Sequence, residues 1–281
     1  MKNFVRNQAI KCKYCQSTAI VKYGTFEGMQ RYFCKECRRK FADNDALPKM
    51  KTPVWIISLV LDSYYKGMSI GEIQKEIDQR HGAYYAQSSI YNWILRFSKE
   101  AVEQGKSFHP KTGDVWCLYI TPIKTEKRQS LIYDIFDISS KFLLISRIFE
   151  NGNKTSLINL IKPASVSIYS PGQTITLLLP DGVGDLDSTL EIKNKGTTSK
   201  FVLKQADKEI KGQCNDLLKK RSRLIRSFNN IEVAQILTGA WQVHYNFISG
   251  NEKTARIPPA QKMGGTHFKT WSDIVTQSMK Y

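Results

Sequence analysis

The chain contains no run of the ~18 apolar residues that a membrane-spanning helix needs, so a transmembrane anchor is excluded from its sequence. Acidic side chains are scarce: 25 stand against 42 basic ones, a net charge of +17. A field of that sign attracts a polyanion, and nucleic acid is the natural one. Histidine is equally sparse. His81, His109, His244 and His267 stand alone, none at metal-ligand spacing from another histidine or from a cysteine, so each reads as a surface or core histidine. There is no glycine-rich phosphate loop, because Gly182-Val-Gly184 is too short and reads as the turn after a strand. No signal-peptide pattern opens the sequence, so a reducing cytosol is the expected compartment. Outside one cluster cysteine is nearly absent. Cys117 and Cys214 are isolated and read as small buried or half-buried hydrophobes.

What is present begins with that cluster. Cys12-Lys-Tyr-Cys15 and Cys34-Lys-Glu-Cys37 are separated by 18 residues, the spacing of a zinc ribbon. Each pair turns tightly enough for two thiolates to share one ion, and two pairs complete a tetrahedral four-thiolate site. With no open position for water, such a zinc is structural. The segments around Ile20–Gly24 and Gln30–Cys34 alternate as two short strands should. Residues 1–51 hold 12 basic and 4 acidic side chains, a net +8, so the ribbon is itself a basic module.

Residues 41–52 are polar and aperiodic, and are expected to be a linker. A helix is expected from Pro53 with Thr52 as its N-cap, its apolar residues Ile56, Ile57, Leu59, Val60 and Leu61 wrapping broadly and Gly67 ending it. Ser69-Ile-Gly-Glu72 is a capping box for a second helix to about Asp78. A third begins near Ser88, with Ile90, Trp93, Ile94 and Phe97 on one face. Three short helices behind a basic ribbon suggest a helix-turn-helix, whose last helix enters the major groove. The non-core face of that helix offers Gln87, Ser88, Ser89, Tyr91, Asn92 and Arg96 to phosphates and base edges.

From Gly113 the apolar period becomes two. Val115–Lys124, Gln129–Asp137 and Lys141–Phe149 read as a β-meander, followed by a helix near Lys154–Ile161. Thr174–Pro180 is a short apolar strand of the kind buried in a sheet centre, and it runs into Asp181-Gly182. Long helices are expected over about Lys208–Arg226 and Ile231–Asn246. Three strands, a helix, a buried strand ending in aspartate and then long helices is the order of a ribonuclease-H-like fold.

At this point the chain resembles a known family, the DDE transposases of prokaryotic insertion sequences that carry an N-terminal zinc ribbon and helix-turn-helix. The likeness spans nearly the whole chain. It rests on the ribbon, Leu61-Asp-Ser-Tyr-Tyr-Lys-Gly-Met-Ser-Ile, Ser89-Ile-Tyr-Asn-Trp, Gly113-Asp-Val-Trp, Arg226-Ser-Phe, Trp241-Gln-Val-His-Tyr-Asn-Phe-Ile and Ile257-Pro-Pro-Ala-Gln-Lys-Met-Gly. The resemblance implies an α+β multidomain chain: zinc ribbon over 1–45, helix-turn-helix over 52–105, a ribonuclease-H-like (integrase-type) α/β domain over 112–262, and a tail over 263–281.

Members of that family hold two divalent ions ~4 Å apart with three carboxylates and use them in in-line phosphoryl displacement. Here the resemblance supplies the second carboxylate, Asp181, but puts Tyr119 where the first should stand and Gly212 where the third should. Glu209 and Asp216 flank Gly212 on the same helix face and are candidates to replace it. Asp114 lies on the opposite strand face from Tyr119, and Asp134 and Asp137 lie on the next strand. The resemblance therefore implies a domesticated transposase, Asp181 a relic, with no nuclease activity. Its Zn2+ would be structural, and Mg2+ would be needed only by the alternative of an active transposase with a rearranged metal site. The basic run Lys219, Lys220, Arg221, Arg223 is assigned to phosphate contacts, because the corresponding helix of the family lies along DNA. A cytoplasmic, nucleoid-associated homodimer on double-stranded DNA, acting in transcription regulation or chromatin architecture, is the expected product. A zinc-stabilised adaptor for protein or RNA is the remaining alternative.

Overall fold

A two-residue turn shapes the first element. The computed structural model describes residues 10–124, 129–150, 154–165, 173–183, 188–194, 197–218, 221, 230–250, 257–265 and 268–278. Strands β1 (Ile20–Phe26) and β2 (Met29–Cys34) pair antiparallel around Glu27 and Gly28, whose φ values of 50° and 75° are those of a tight hairpin. A third strand, β3 (Lys40–Ala42), joins β2. The expected linker over 41–52 is thus partly ordered: Phe41 stacks on Tyr32 at 5.6 Å, Ala46 and Leu47 are buried, and Ala46 bridges to Pro53. A few anchoring apolar residues suffice there without any period.

Helix α1 (Val54–Tyr65) follows, with Pro53 and not Thr52 in the capping position and no side-chain cap. Gly67, at φ 102°, then breaks the chain direction. Helix α2 (Ile70–His81) starts at the expected capping box between Ser69 and Glu72, and runs a turn further than expected to a left-handed Gly82. Helix α3 (Gln87–Gly105) is the longest among the described residues. Ile56, Ile57, Val60, Leu61, Ile73, Ile77, Ile90, Ile94 and Phe97 are at most 1% exposed, and together they form the helical core.

The second sheet has the order β6-β5-β4-β7-β9-β8, with β4 (Val115–Lys124), β5 (Gln129–Asp137), β6 (Leu143–Phe149), β7 (Thr174–Leu179), β8 (Thr189–Asn194) and β9 (Thr197–Gln205). Strands β4, β5 and β6 are the expected antiparallel meander. Strand β7 lies parallel to β4 and to β9, and the β8–β9 hairpin, which the sequence reading did not foresee, closes the far edge. Helix α4 (Lys154–Ala164) precedes β7. After β9 come α5 (Lys208–Leu218), α6 (Ile231–Val243, continued by a π-turn over His244–Ile248), the short α7 (Pro259–Lys262) and α8 (Trp271–Gln277).

Edge strand β6 would expose a row of unpaired backbone groups. Helix α6 covers them with side-chain amides. Gln235 accepts from Ile148 N at 2.9 Å and donates to Ser146 O; Gln242 donates to Leu143 O and Leu144 O; Asn246 both accepts from and donates to Leu143. On another side α6 meets α3 so closely that a Cβ on Gly239 would lie 3.0 Å from Val102 Cγ2, and one on Gly105 3.0 Å from Val243 Cγ2. Helix and sheet residues consequently share one continuous core.

Residues 263–281, expected as a tail, carry α8, and it is docked. Trp271 is 1% exposed and stacks on Tyr65 of α1 at 5.0 Å, while its indole N–H donates to His244 Nδ1 at 3.2 Å. Tyr65 shares a 2.6 Å hydrogen bond with Ser98 of α3. The period of a seven-residue helix is too short to read from sequence, and its single tryptophan does the anchoring.

Overfilling the α3–α6 contact with Gly239→Leu should cost about 1–3 kcal/mol. Gly212→Ala, in α5 with no atom within 4 Å of the added carbon, should instead stabilise by about 0.5–1 kcal/mol. Urea unfolding midpoints of the two variants read both effects.

Candidate metal centre and nucleic-acid interface

The two cysteine knuckles meet beneath the three-stranded sheet. Cys12 Sγ lies 3.6 Å from Cys37 Sγ, Cys15 Sγ 3.5 Å from Cys34 Sγ, and all four sulfurs fall within 4.8 Å of one another. Those separations are far beyond an S–S bond of about 2.05 Å, and all four are free thiols. They do fit one shared ion, because a tetrahedron of sulfurs each about 2.3 Å from zinc has edges of about 3.8 Å. Backbone N–H groups of Cys37 and Glu36 directed at Cys34 hold its thiol down to about 7, whereas burial pushes Cys37 up to about 12. A thiolate therefore forms readily at Cys34 and is opposed by burial at Cys37. A divalent cation removes that opposition, and the four residues would hold it as a closed, structural centre. Buried Tyr32 and Phe41 pack against Cys12 and Cys34.

The helical module presents the residues singled out for DNA on one side. Gln87, Ser88, Tyr91, Asn92 and Arg96 are exposed and Ser89 is half-buried, while Ile90, Ile94 and Phe97 on the opposite side are fully buried. Gln87 is tethered to α2 by a 3.2 Å hydrogen bond from its amide to Gln74. Arg96 points its guanidinium at Met50 Sδ, 3.5 Å away. No side chain caps α3, and the N–H groups of Ser89 and Ile90 donate to Ala86 O at 3.0 and 3.1 Å.

The carboxylates tell a different story from the expected cage. Asp181 follows β7 and stands exposed, but Lys211 of α5 donates to both its oxygens at 2.8 Å, and Gln205 donates to it as well. The Lys211 ammonium holds its carboxyl below the ordinary range. Glu209 is taken by Gln213 at 3.3 Å, Gly212 is exposed, and the Asp216 side chain lies outside the described residues. Among the described residues, the four cysteines are the one group of three or more potential ligands close enough to hold a metal.

Tyr119 is half-buried on β4, directly opposite Asp134 on β5, which in turn faces Ser146 on β6. Cross-strand partners share a face. Onto that face comes Arg221, and this overturns its assignment to phosphate. It is 1% exposed and forms a two-pronged ion pair with buried Asp134, at 2.6 and 2.5 Å, with Ser146 and Thr121 each 3.2 Å from a guanidinium nitrogen. Its guanidinium carbon lies 5.2 Å from the centroid of the Trp241 ring. In sequence Arg221 looks like one more charge in a basic run; no local signal distinguishes it, because its partner is 87 positions away. Lys219, Lys220 and Arg223 lie outside the described residues. Asp137 has a structural task too: it accepts from Gly113 N at 3.0 Å and from Ser139 Oγ and Ser140 N across the β5–β6 turn. A Cβ on Gly113 would meet Ser139 Oγ at 2.8 Å and Asp137 Oδ1 at 3.1 Å, which explains the glycine that opens Gly113-Asp-Val-Trp. Cys117 is 2% exposed, and the side chain of Cys214 lies outside the described residues.

This is a mixed α+β protein with a four-cysteine metal-ligand cluster, and among the described residues no helix is long and apolar enough to cross a membrane. No protein-family model matches the chain, and neither does any curated protein. Among solved structures it is similar to a chain of the simian T-cell lymphotropic virus intasome in complex with PP2A regulatory subunit B56 gamma, at 13% identity over 74% of this chain and 73% of that one, with a TM-score of 0.38. A likeness that loose assigns no residue and no activity here.

Removing one ligand with Cys37→Ser should abolish stoichiometric zinc, read by elemental analysis, and unfold the ribbon segment. Arg221→Met should cost about 3–5 kcal/mol by stranding a buried carboxylate, and much of that loss should return when Asp134→Leu is added. Chemical denaturation of the single and double variants checks it.

Proposed function

We propose that this chain is a sequence-specific DNA-binding protein descended from an insertion-sequence DDE transposase, working without nuclease activity. The observation that carries the reading is α3: one face is locked into the core, and the other offers Gln87, Ser88, Tyr91, Asn92 and Arg96 from its first turns, where a recognition helix meets base edges. The basic four-cysteine segment that precedes the helices in the chain adds attraction for the backbone without sequence choice. The strand order β6-β5-β4-β7-β9, antiparallel for the first three and parallel thereafter, supports a ribonuclease-H-like body built on the transposase plan.

Loss of chemistry follows from charge. A two-ion site needs carboxylates that are drawn to divalent cations. Tyr119 offers none, Gly212 offers none, and Asp181 already faces the ammonium of Lys211. A protein cation occupies the electrostatic role a metal would have. The body then serves as a basic platform, and a homodimer on a repeated or palindromic site suits the transposase plan, in which two DNA ends are held together. Regulation of transcription or organisation of the chromosome is the corresponding role.

Genome-wide crosslinking should yield one shared motif under many peaks. In binding assays on that motif, Asn92→Ala or Arg96→Ala should relax base choice at one or two positions, at about 1–3 kcal/mol each. Lys219→Ala should weaken all sequences alike and flatten the salt dependence. Incubation with Mg2+ or Mn2+ should leave the DNA intact. Nicking that Asp181→Ala abolishes would refute the loss of activity.

A further inference from the structure

Of the large hydrophobic side chains exposed on the described surface, half crowd onto one small element: Val21 at 39%, Tyr23 at 47%, Phe26 at 61% and Met29 at 38%. All four lie on the face of the three-stranded sheet turned away from the cysteine cluster. The register requires it. Lys22, Tyr32 and Phe41 are aligned across the strands, and Tyr32 and Phe41 pack toward the sulfurs, so the next row, Val21–Phe33–Lys40, points outward. Met29 and Arg31 share the parity of Phe33. A bulge between Lys22 and Thr25, with Gly24 at φ 83°, changes the parity of β1 so that Phe26, paired with Met29, also faces out beside Tyr23.

Cations cover this apolar strip. The Lys40 ammonium sits 3.9 Å from the Tyr23 ring centroid and bonds the phenol, and the Arg31 guanidinium carbon is 5.9 Å from the same ring. Phe33 lies 6.3 Å from Tyr23. Between residues 10 and 42 the acids are Glu27 at the hairpin tip and Glu36 in the second knuckle, against eight lysines and arginines. An exposed apolar face on a segment this basic fits a ligand that is both flat and anionic. Unpaired nucleotides are such a ligand: their bases can stack on Tyr23, Phe33 and Phe26 while Arg31 and Lys40 meet phosphates. Paired bases in a duplex keep their faces covered and cannot use the strip.

We infer that the outward face of the ribbon sheet is a single-strand nucleic-acid platform, distinct from the duplex-reading face of α3. It binds without strong sequence choice, because every base has a stacking face. The inference stands apart from the duplex reading, since neither α3 nor its target takes part.

The test uses the full chain loaded with zinc and labelled fifteen-nucleotide probes, dT and rU homopolymers, by fluorescence anisotropy. Wild-type protein should bind at least one of them, and comparison of the two reports which sugar is preferred. Tyr23→Ala should weaken that binding about 10- to 100-fold, Tyr23→Phe should retain most of it, and Lys40→Ala should weaken it and reduce the salt slope. Zinc content and circular dichroism confirm that each variant keeps its ribbon. Asn92→Ala, which probes α3, should leave single-strand affinity unchanged, so failure of one site does not mask the other. The inference is overturned if neither probe binds, or if Tyr23→Ala binds as wild type. It is overturned equally if Tyr23→Ala leaves single-strand binding intact but splits an oligomer in sedimentation, the strip then being covered by a second copy of the chain.

Discussion

An edge strand must find partners for its backbone, and how β6 finds them places the helices packed against it. Gln235, Gln242 and Asn246 reach from α6 to β6 backbone groups. That binds α6 to the sheet with a register as definite as a strand's. Because α6 is placed, α3 is placed: the two helices close on one another at Gly105 and Gly239, where a methyl group would already crowd the facing valines. The distal half of α3 is thus clamped to the sheet body, while its first turns project their polar side chains outward. Orientation of the candidate reading face is inherited from a β-sheet edge many residues away.

Two carboxylates illustrate how protein cations fix what an acidic side chain can do. Asp134 and Asp181 are both satisfied by protein cations, Arg221 in the interior and Lys211 at the surface. The buried pair is a conditional asset: removing one partner leaves an uncompensated charge, yet replacing both by apolar groups need not be costly. The surface pair is weak in stability terms, but it settles local electrostatics by setting a fixed positive charge against the carboxylate.

Much of this was readable in the residues. The cysteine spacing, the capping box at Ser69, the alternation of β4 and β5 and the apolar run of β7 are local patterns, and each element lies where its pattern ends. What escaped reading was non-local or too short to have a period. β3 is three residues long; α8 is anchored by one tryptophan; and the β8–β9 hairpin, Thr189–Asn194 and Thr197–Gln205, carries many lysines and threonines with little hydrophobic contrast. Arg221 escaped for a further reason. A basic run is normally solvated, and nothing within a few residues announces that one of its members is buried beneath a tryptophan. Of the candidate site, the sulfur cluster was legible because its chemistry demands four ligands at set spacings, while the outward strip of the ribbon depends on a bulge that only coordinates reveal.

The docking of α8 on α1 has a consequence for how the protein is made. Tyr65 belongs to α1, yet its ring rests on Trp271, which leaves the ribosome about two hundred residues later. Until then the first helices carry an uncovered aromatic surface. The four-cysteine segment, whose candidate ligands lie within a short span, can fold as soon as it emerges and meets metal. The helices cannot. Synthesis therefore passes through a nascent chain whose cysteine segment can be finished while its first helices still wait for α8.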